Sequence, residues 1–177
     1  MALERGIIDC NWPVLESSSL VGNSLALDDD KERKDYLEYY LTKNTPHQDA
    51  LLKVAKYYES NSGKWPESTN YSGAVASCST YLMTLLTKLD PSVHLGIAYP
   101  QVPMALTTPY YLTYPNKNEM AIFGDGHREY HPAYEEFEMA YYLGTLEKSD
   151  KLTKEFGALI NSSINNKAYK RSIYRTD

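Results

Sequence analysis

The stretch GAVASCSTYLMTLLTKL, residues 73–89, decides the fold because it carries the strongest periodic pattern in the chain. Its apolar side chains recur at positions 74, 75, 78, 81, 82, 85, 86 and 89, which is the period of a helix with a broad buried face. Asp90 and Pro91 follow at once, and the residue before a proline is disfavoured in a helix. The pattern therefore predicts a long, largely buried helix that ends near residue 89.

Segments on either side of this helix also show helical signals. An amphipathic stretch begins at Asp30, and a Thr-x-x-Gln capping box that opens at Thr45 predicts a second helix directly after it. Residues 132–148 and 151–166 each have an apolar face, and the joint between them is short enough to make the two helices antiparallel neighbours. The sequence therefore predicts a bundle of about five helices.

Two segments lack helical periodicity. Residues 1–29 contain Pro13, Gly22 and a run of serines, and we expect them to form an extended N-terminal arm. Residues 93–123 are rich in β-branched and aromatic residues and are interrupted by prolines, which favours edge strands and loops. Within them, YYLTY and EMAIF flank PNKN and predict a β-hairpin. The predicted fold is mainly α, of the α+β type: a single helical domain over residues 30–177 with a hairpin insertion, preceded by the arm.

Composition limits the classes of function. The 177 residues include 18 basic and 23 acidic ones, and the net charge of −5 argues against a general nucleic-acid binder, which needs a strongly basic face. No basic, apolar leader opens the chain, and no stretch approaches the roughly 20 apolar residues that cross a bilayer. Cys10 and Cys78 lie far apart without CxxC spacing, so neither a disulfide framework nor a zinc ribbon is indicated. We therefore expect a soluble, unexported protein in a reducing compartment, without a membrane contact.

The histidines His127 and His131 form the one stretch that looks like a metal or acid–base site. In the helical zinc motif HExxH a glutamate directly follows the first histidine, whereas here Arg128 does. Pro132 favours extended backbone at His131, so the two histidines are not expected on one helical face. The stretch instead predicts a turn followed by a helix with glutamates in its first turn, and no metal site.

Cys78 is the candidate nucleophile. Its setting, SGAVASCSTYL, loosely resembles the start of the nucleophile helix in papain-like cysteine hydrolases, with His127 among the histidines available as a base. However, Cys78 also falls on the apolar stripe of its helix, where an inert buried cysteine belongs. A helix start near Ser77 would favour a reactive thiol, and a start near Ser72 a buried one. If the protein is an enzyme, we expect Cys78 and His127 to be catalytic.

The chain ends in a basic segment, NKAYKRSIYRTD, although the protein as a whole is acidic. Such a segment either contacts phosphates or an acidic partner surface, or stabilises the end of the last helix by its charge. The chain also has 17 tyrosines against 3 phenylalanines, a bias that suits contact surfaces but is equally explained by genome composition. We expect this basic segment to contact a partner through Lys167, Lys170, Arg171 and Arg175.

The order of elements over roughly residues 102–170 resembles a known family. A hairpin (TTPYYLTYPNKNEMAIF), a GDG turn and the helical pair HPAYEEFEMAYYLGTLEKSDKLTKEFGALINSS follow one another as in the head-to-tail adaptor proteins of tailed bacteriophages. The resemblance implies a structural virion protein, made in the host cytoplasm, that forms a ring in the phage neck. It implies neighbouring copies, a portal, a tail-side ring and nearby DNA as partners, and no catalysis, cofactor or small-molecule substrate. It also implies that the N-terminal arm, the basic C-terminal segment and the hairpin make the contacts, the hairpin through Tyr110, Tyr111, Tyr114 and Lys117.

Two other classes of function remain open at this stage. One is the cysteine hydrolase described above, which requires a reactive Cys78. The other is a small acidic immunity or inhibitor protein that blocks a basic enzyme surface, which the acidic balance of the chain supports.

Overall fold

Helices make up most of the computed structural model, which describes residues 10–43, 50–115, 119–130, 132 and 134–169. The longer helices are α1 (Asn11–Leu25), α2 (Asp30–Leu41), α3 (Leu51–Ser60), α4 (Thr69–Leu89), α8 (Tyr134–Glu147) and α9 (Asp150–Asn165). Between α4 and α8 lie a 3-10 turn (Pro91–Val93) and the short helices α5 (Leu95–Ala98), α6 (Gln101–Met104) and α7 (Thr107–Tyr111). The described residues form no sheet, so the mainly α prediction is confirmed.

Helix α4 is the central element, as its apolar pattern predicted. It begins at Thr69, before the apolar pattern does, because the Ser68 hydroxyl accepts a hydrogen bond from the backbone N–H of Tyr71 at 3.1 Å and caps the first turn. It ends at Leu89, directly before Asp90 and Pro91. Helices α1 and α8 and the short helices all pack against it, so α4 organises the core.

The extended arm predicted for residues 1–29 is wrong where the structure describes that segment, since helix α1 occupies most of it. Pro13 lies in the first turn, where a missing N–H costs little. Ser17 is buried, and its hydroxyl donates a hydrogen bond to the carbonyl of Pro13 in place of one to water. Val14 and Val21 join the core. The buried face of α1 is therefore partly polar, so its apolar residues alone do not show a helical period. The boundary predicted at residue 29 stays a prediction.

The edge strands predicted for residues 93–123 are wrong over α5, α6 and α7, which are helical turns. Pro103 and Pro109 each lie within the first turn of a short helix, the one helical place where proline is tolerated. The predicted hairpin is reduced to one antiparallel bridge between Thr113 and Met120. Its loop lies outside the described residues, as does the capping box predicted at Thr45.

The last two long helices form the predicted antiparallel pair. Gly144 of α8 permits their close approach, because a Cβ at this position would lie 2.8 Å from the Cβ of Leu152. Further along, the ring of Phe137 packs on that of Phe156 with centroids 5.8 Å apart. No helix among the described residues combines the length and the apolar character that crossing a membrane requires.

The buried carboxylate of Glu147 fixes the end of α8 against α4 and α5. It is 5% exposed and accepts hydrogen bonds from the Thr87 hydroxyl at 2.9 Å and from the backbone N–H groups of Gly96 at 2.9 Å and Ile97 at 2.7 Å. Two of its donors belong to the first turn of α5, where backbone N–H groups have no partner within the helix. One side chain therefore holds three helices together.

Candidate functional site

An open groove of about 1030 Å³ runs between α4 and α8. Residues that recur every three or four positions, and so share one face of α4, form its first wall: Ala74, Ser77, Cys78, Tyr81, Thr84, Leu85 and Lys88. One face of α8 forms the second wall: Glu135, Glu136, Glu138, Met139 and Tyr142. Two long helices therefore supply both walls.

The two walls run in the same direction along the groove. The bond between Thr87 and Glu147 joins the C-terminal ends of α4 and α8, while Ala74 and Glu135 line the groove near the N-terminal ends. Lys88 lies on the groove at the C-terminal end of α4. The groove thus has an acidic end, formed by the first turn of α8, and a basic end at Lys88.

The acidic wall is held in place by the end of the chain that follows α9. The Tyr169 hydroxyl donates to Oε1 of Glu138 at 2.6 Å, and the Tyr169 ring stacks on Tyr134 with centroids 5.3 Å apart. Two glutamates, Glu135 and Glu136, lie in the first turn of α8, where the helix dipole favours negative charge. Helix geometry therefore explains the acidic cluster that the sequence shows.

The loop that leads into α8 is pinned to the N-terminal end of α4. An antiparallel bridge joins Gly124 to Ser68, and a Cβ at Gly124 would clash with the backbone oxygen of Glu67. Gly124 has a φ of +67°, a conformation that side chains disfavour. The Tyr71 hydroxyl donates to Asp125 at 3.2 Å, and this hydrogen bond raises the pKa of Tyr71. The turn predicted from the GDG sequence is therefore a fixed part of the structure.

Cys78 lacks the setting of a nucleophile. Helix α4 begins at Thr69, so Cys78 lies in its third turn and not at its start. Its Sγ donates to the Val14 carbonyl at 3.8 Å, and burial raises the pKa of the thiol, whereas a reactive cysteine has a lowered pKa. His127 is exposed, and no hydrogen bond joins it to Cys78 in the described part of the chain. The predicted pair therefore gains no structural support.

The histidine stretch likewise shows no metal site. His131 lies outside the described residues. Within the segments that the structure describes, no three His, Cys, Asp or Glu side chains are grouped as metal ligands.

The predicted partner-binding residues lie in different settings. Tyr110 is half-buried, whereas Tyr111 is 62% exposed and donates to Glu155 at 2.6 Å, a hydrogen bond that raises the pKa of Tyr111 to about 12. Tyr114 and Lys167 are exposed. The remaining four lie outside the described residues: Lys117, Lys170, Arg171 and Arg175. Their role in partner binding stays a prediction.

Both walls of the groove lie within a segment that matches a known family. Residues 61–177 match the model of the second domain of endo-acting ulvan lyase. An endo-acting ulvan lyase from Formosa agariphila is 27% identical over 92 residues, which cover 52% of this chain but only 11% of that protein. The chain therefore corresponds to a small part of that relative. No solved structure matches the chain.

These matches contradict the phage-adaptor interpretation. That interpretation rested on the order of a hairpin, a turn and two helices, an arrangement that unrelated proteins share. The structural virion role and the virion location are wrong with it, and neither the cysteine hydrolase nor the inhibitor is supported. The expectation of a protein without catalysis is also contradicted, because the matched family is that of a lyase. The ring in the phage neck is contradicted as well, whereas self-association of the chain stays a prediction.

Proposed function

Because this chain belongs to the family of the endo-acting ulvan lyase second domain, we propose that it works as part of an ulvan lyase and holds the polysaccharide in the groove between α4 and α8. The observation that carries the proposal is the open shape of this groove, both of whose walls lie within the matched residues 61–177. The groove is thus a feature of the matched segment itself.

An open groove suits the endo mode of action. An enzyme that cuts within a long polymer must let the chain extend beyond the site in both directions, which a closed pocket prevents. The face of α4 from Ala74 to Lys88 extends for about 20 Å at the rise of an α-helix. This length accommodates several consecutive sugar residues and leaves room for the chain to continue past either end.

The lining of the groove also suits a sugar polymer. Sugar rings present C–H groups on their faces and hydroxyl groups around their edges, so they require both apolar and hydrogen-bonding surfaces. Tyr81 and Tyr142 supply rings with polar tips, and Ser77 supplies a hydroxyl. Lys88 and the glutamates add charged hydrogen-bonding groups near the two ends. Such a mixture of aromatic surface and a few polar groups is typical of ligand sites.

The proposal assigns substrate holding to this chain and bond cleavage to the whole lyase. The aligned segment is 11% of the relative that carries the lyase name, so the activity of that protein belongs to a much larger molecule. The raised pKa of Cys78 is in keeping with this division, since the thiol that lines the groove is protonated near neutral pH.

The test is ulvan binding by the purified chain, measured by isothermal titration calorimetry or affinity electrophoresis. Ala74→Trp places a large side chain in the groove, and Ala158→Trp places the same side chain on an exposed position of α9. We expect the parent chain and Ala158→Trp to bind ulvan and Ala74→Trp to lose binding. Absence of binding by the parent, or equal binding by all three proteins, contradicts the proposal. In parallel, the ultraviolet absorbance of unsaturated product ends reports any cleavage by the chain alone.

A further inference from the structure

We propose that Tyr81 and Tyr142 form an aromatic clamp that stacks on one sugar residue in the middle of the groove, one ring from each wall. The inference rests on the proposed function, since it names the residues by which the same groove grips the polysaccharide. Three observations support it. Both tyrosines are exposed, they lie at nearly the same position along the groove, and no hydrogen bond engages their hydroxyls in the described part of the chain.

Both side chains are exposed, and both lie on the helix faces that line the groove. Tyr81 belongs to the apolar pattern that predicts the buried face of α4, yet it is 55% exposed, while the next residue of that pattern, Leu82, is 2% exposed. Tyr142 of α8 is 43% exposed. Exposed aromatic rings that line one concave surface are typical of binding sites, whereas scattered ones are not.

The two tyrosines lie at nearly the same height along the groove. The hydrogen bond between Thr87 and Glu147 provides a common reference for the two parallel helices. Tyr81 precedes Thr87 by six residues, about 9 Å along α4, and Tyr142 precedes Glu147 by five residues, about 7.5 Å along α8. The difference is smaller than the width of an aromatic ring, so the two backbone positions lie beside the same short section of the groove.

The hydroxyls of this pair are available to a ligand. In the described part of the chain, no hydrogen bond engages the hydroxyl of Tyr81 or Tyr142. Tyr111 of α7 differs, since its hydroxyl donates to Glu155. A phenol at the rim of a groove donates to, or accepts from, a sugar hydroxyl while its ring packs on the sugar face. The pair therefore offers stacking and hydrogen bonding at one place.

Three partly buried lining residues, which we call the floor of the groove, complete the subsite. Cys78, Leu85 and Met139 line the groove there and offer apolar surface with a polarizable thioether. Because the floor is apolar and the rim carries hydroxyls, a sugar ring fits with one face on the tyrosines and its hydroxyl groups directed to the rim and to solvent.

Two tyrosines of similar exposure that lie outside the groove serve as matched controls. Tyr141 adjoins Tyr142 and is 42% exposed, but its ring lies against Gly157 of α9 and does not line the groove. Tyr36 of α2 is 43% exposed and lies on another part of the surface. Substitution of these residues removes nearly as much exposed aromatic surface as substitution of the proposed pair does.

The experiment measures the Kd for ulvan of the full chain and its variants by isothermal titration calorimetry, with thermal unfolding as a check on folding. We expect Tyr81→Ala and Tyr142→Ala each to bind roughly fivefold to tenfold more weakly. The phenylalanine variants, which keep the ring, should lose only about a factor of two. Tyr141→Ala and Tyr36→Ala should bind as the parent does.

The outcomes separate this inference from the proposed function. If both alanine variants of the pair bind as the parent does while Ala74→Trp does not bind, the groove holds the polysaccharide and the clamp is wrong. If the control variants weaken binding as much as the pair does, the clamp is also wrong, because binding then does not depend on these two positions. If the parent chain does not bind ulvan, both proposals are overturned.

Discussion

Replacement of Glu147 by alanine is expected to lower the free energy of unfolding by about 3 to 5 kcal/mol. The substitution removes the acceptor of three hydrogen bonds, from the Thr87 hydroxyl and from the N–H groups of Gly96 and Ile97. Gly96 is buried, so its N–H loses its partner without gaining water. A buried donor left unsatisfied, here the Gly96 N–H, costs about 1 to 3 kcal/mol, and the lost hydrogen bonds from the Thr87 hydroxyl and the partly buried Ile97 N–H add about 0.5 to 1.5 kcal/mol each, so the sum centres on the stated range.

Two milder substitutions provide a comparison for the loss of stability in Glu147→Ala. Glu147→Gln keeps one acceptor oxygen but directs an amide N–H2 group towards other donors, so we expect a loss of about 1 to 2 kcal/mol. Glu59→Ala serves as the control, because Glu59 is exposed on α3, and exposed changes of this kind usually stay within about 0.5 kcal/mol. The order of stability should therefore be parent, Glu59→Ala, Glu147→Gln and Glu147→Ala.

The assay is denaturant unfolding followed by circular dichroism. A shifted midpoint with an unchanged slope reports a loss of stability, whereas a changed slope reports a change in the surface exposed on unfolding. A loss below about 1 kcal/mol for Glu147→Ala, or one equal to that of Glu59→Ala, would refute the role of Glu147 in joining α4, α5 and α8. Because the same carboxylate sets α8 beside α4, the destabilised variant should also bind ulvan more weakly at temperatures where it is folded.

Three further changes test other parts of the structure. Gly124→Ala should lower stability by about 1 to 3 kcal/mol, because it forces a side chain into positive φ and against the Glu67 backbone oxygen; an unchanged thermal midpoint would contradict this. Cys78 should be alkylated more slowly than a free cysteine at neutral pH, and Cys78→Ser should still bind ulvan; rapid alkylation, followed by mass spectrometry, would argue for a reactive thiol. A fragment of residues 61–177 should lack a cooperative unfolding transition, because it loses Tyr58, whose buried hydroxyl donates to the Ser72 carbonyl at 2.6 Å. A cooperative transition like that of the full chain would show that the matched segment folds alone.

The helices with clear apolar periods could be predicted from the sequence, and those with mixed faces could not. Helix α4 and the pair α8 and α9 bury apolar side chains at helical spacing, so their type and approximate ends follow from the pattern. Helix α1 buries Ser17 and Ser24 beside its valines, and back-bonding to the carbonyls of the preceding turn makes this possible. These serine hydrogen bonds form only when the helix is present, so composition alone favours an extended arm.

The groove could not be predicted from the sequence because its two walls are far apart in the chain. Four residues of the α4 wall belong to the apolar pattern that predicts a buried face, namely Ala74, Cys78, Tyr81 and Leu85, and the glutamates of α8 are typical of a solvated helix start. Only the packing of α8 along α4, fixed through Glu147, places these two faces opposite each other. The wrong family assignment has a related cause, since the order of a hairpin, a turn and two helices carries little information about which surfaces meet.

The core of this protein extends across the edge of the segment that matches the ulvan lyase family. Trp65, inside the match, is fully buried and packs its ring against Tyr57 and Tyr58, which lie outside it. On α4, Cys78 lines the groove, and its Sγ also donates to the carbonyl of Val14 in α1. Removal of α1 would expose the surface of α4 that it covers and loosen the wall that carries Tyr81. A relative that shares only the matched segment must therefore cover that surface of α4 with another element.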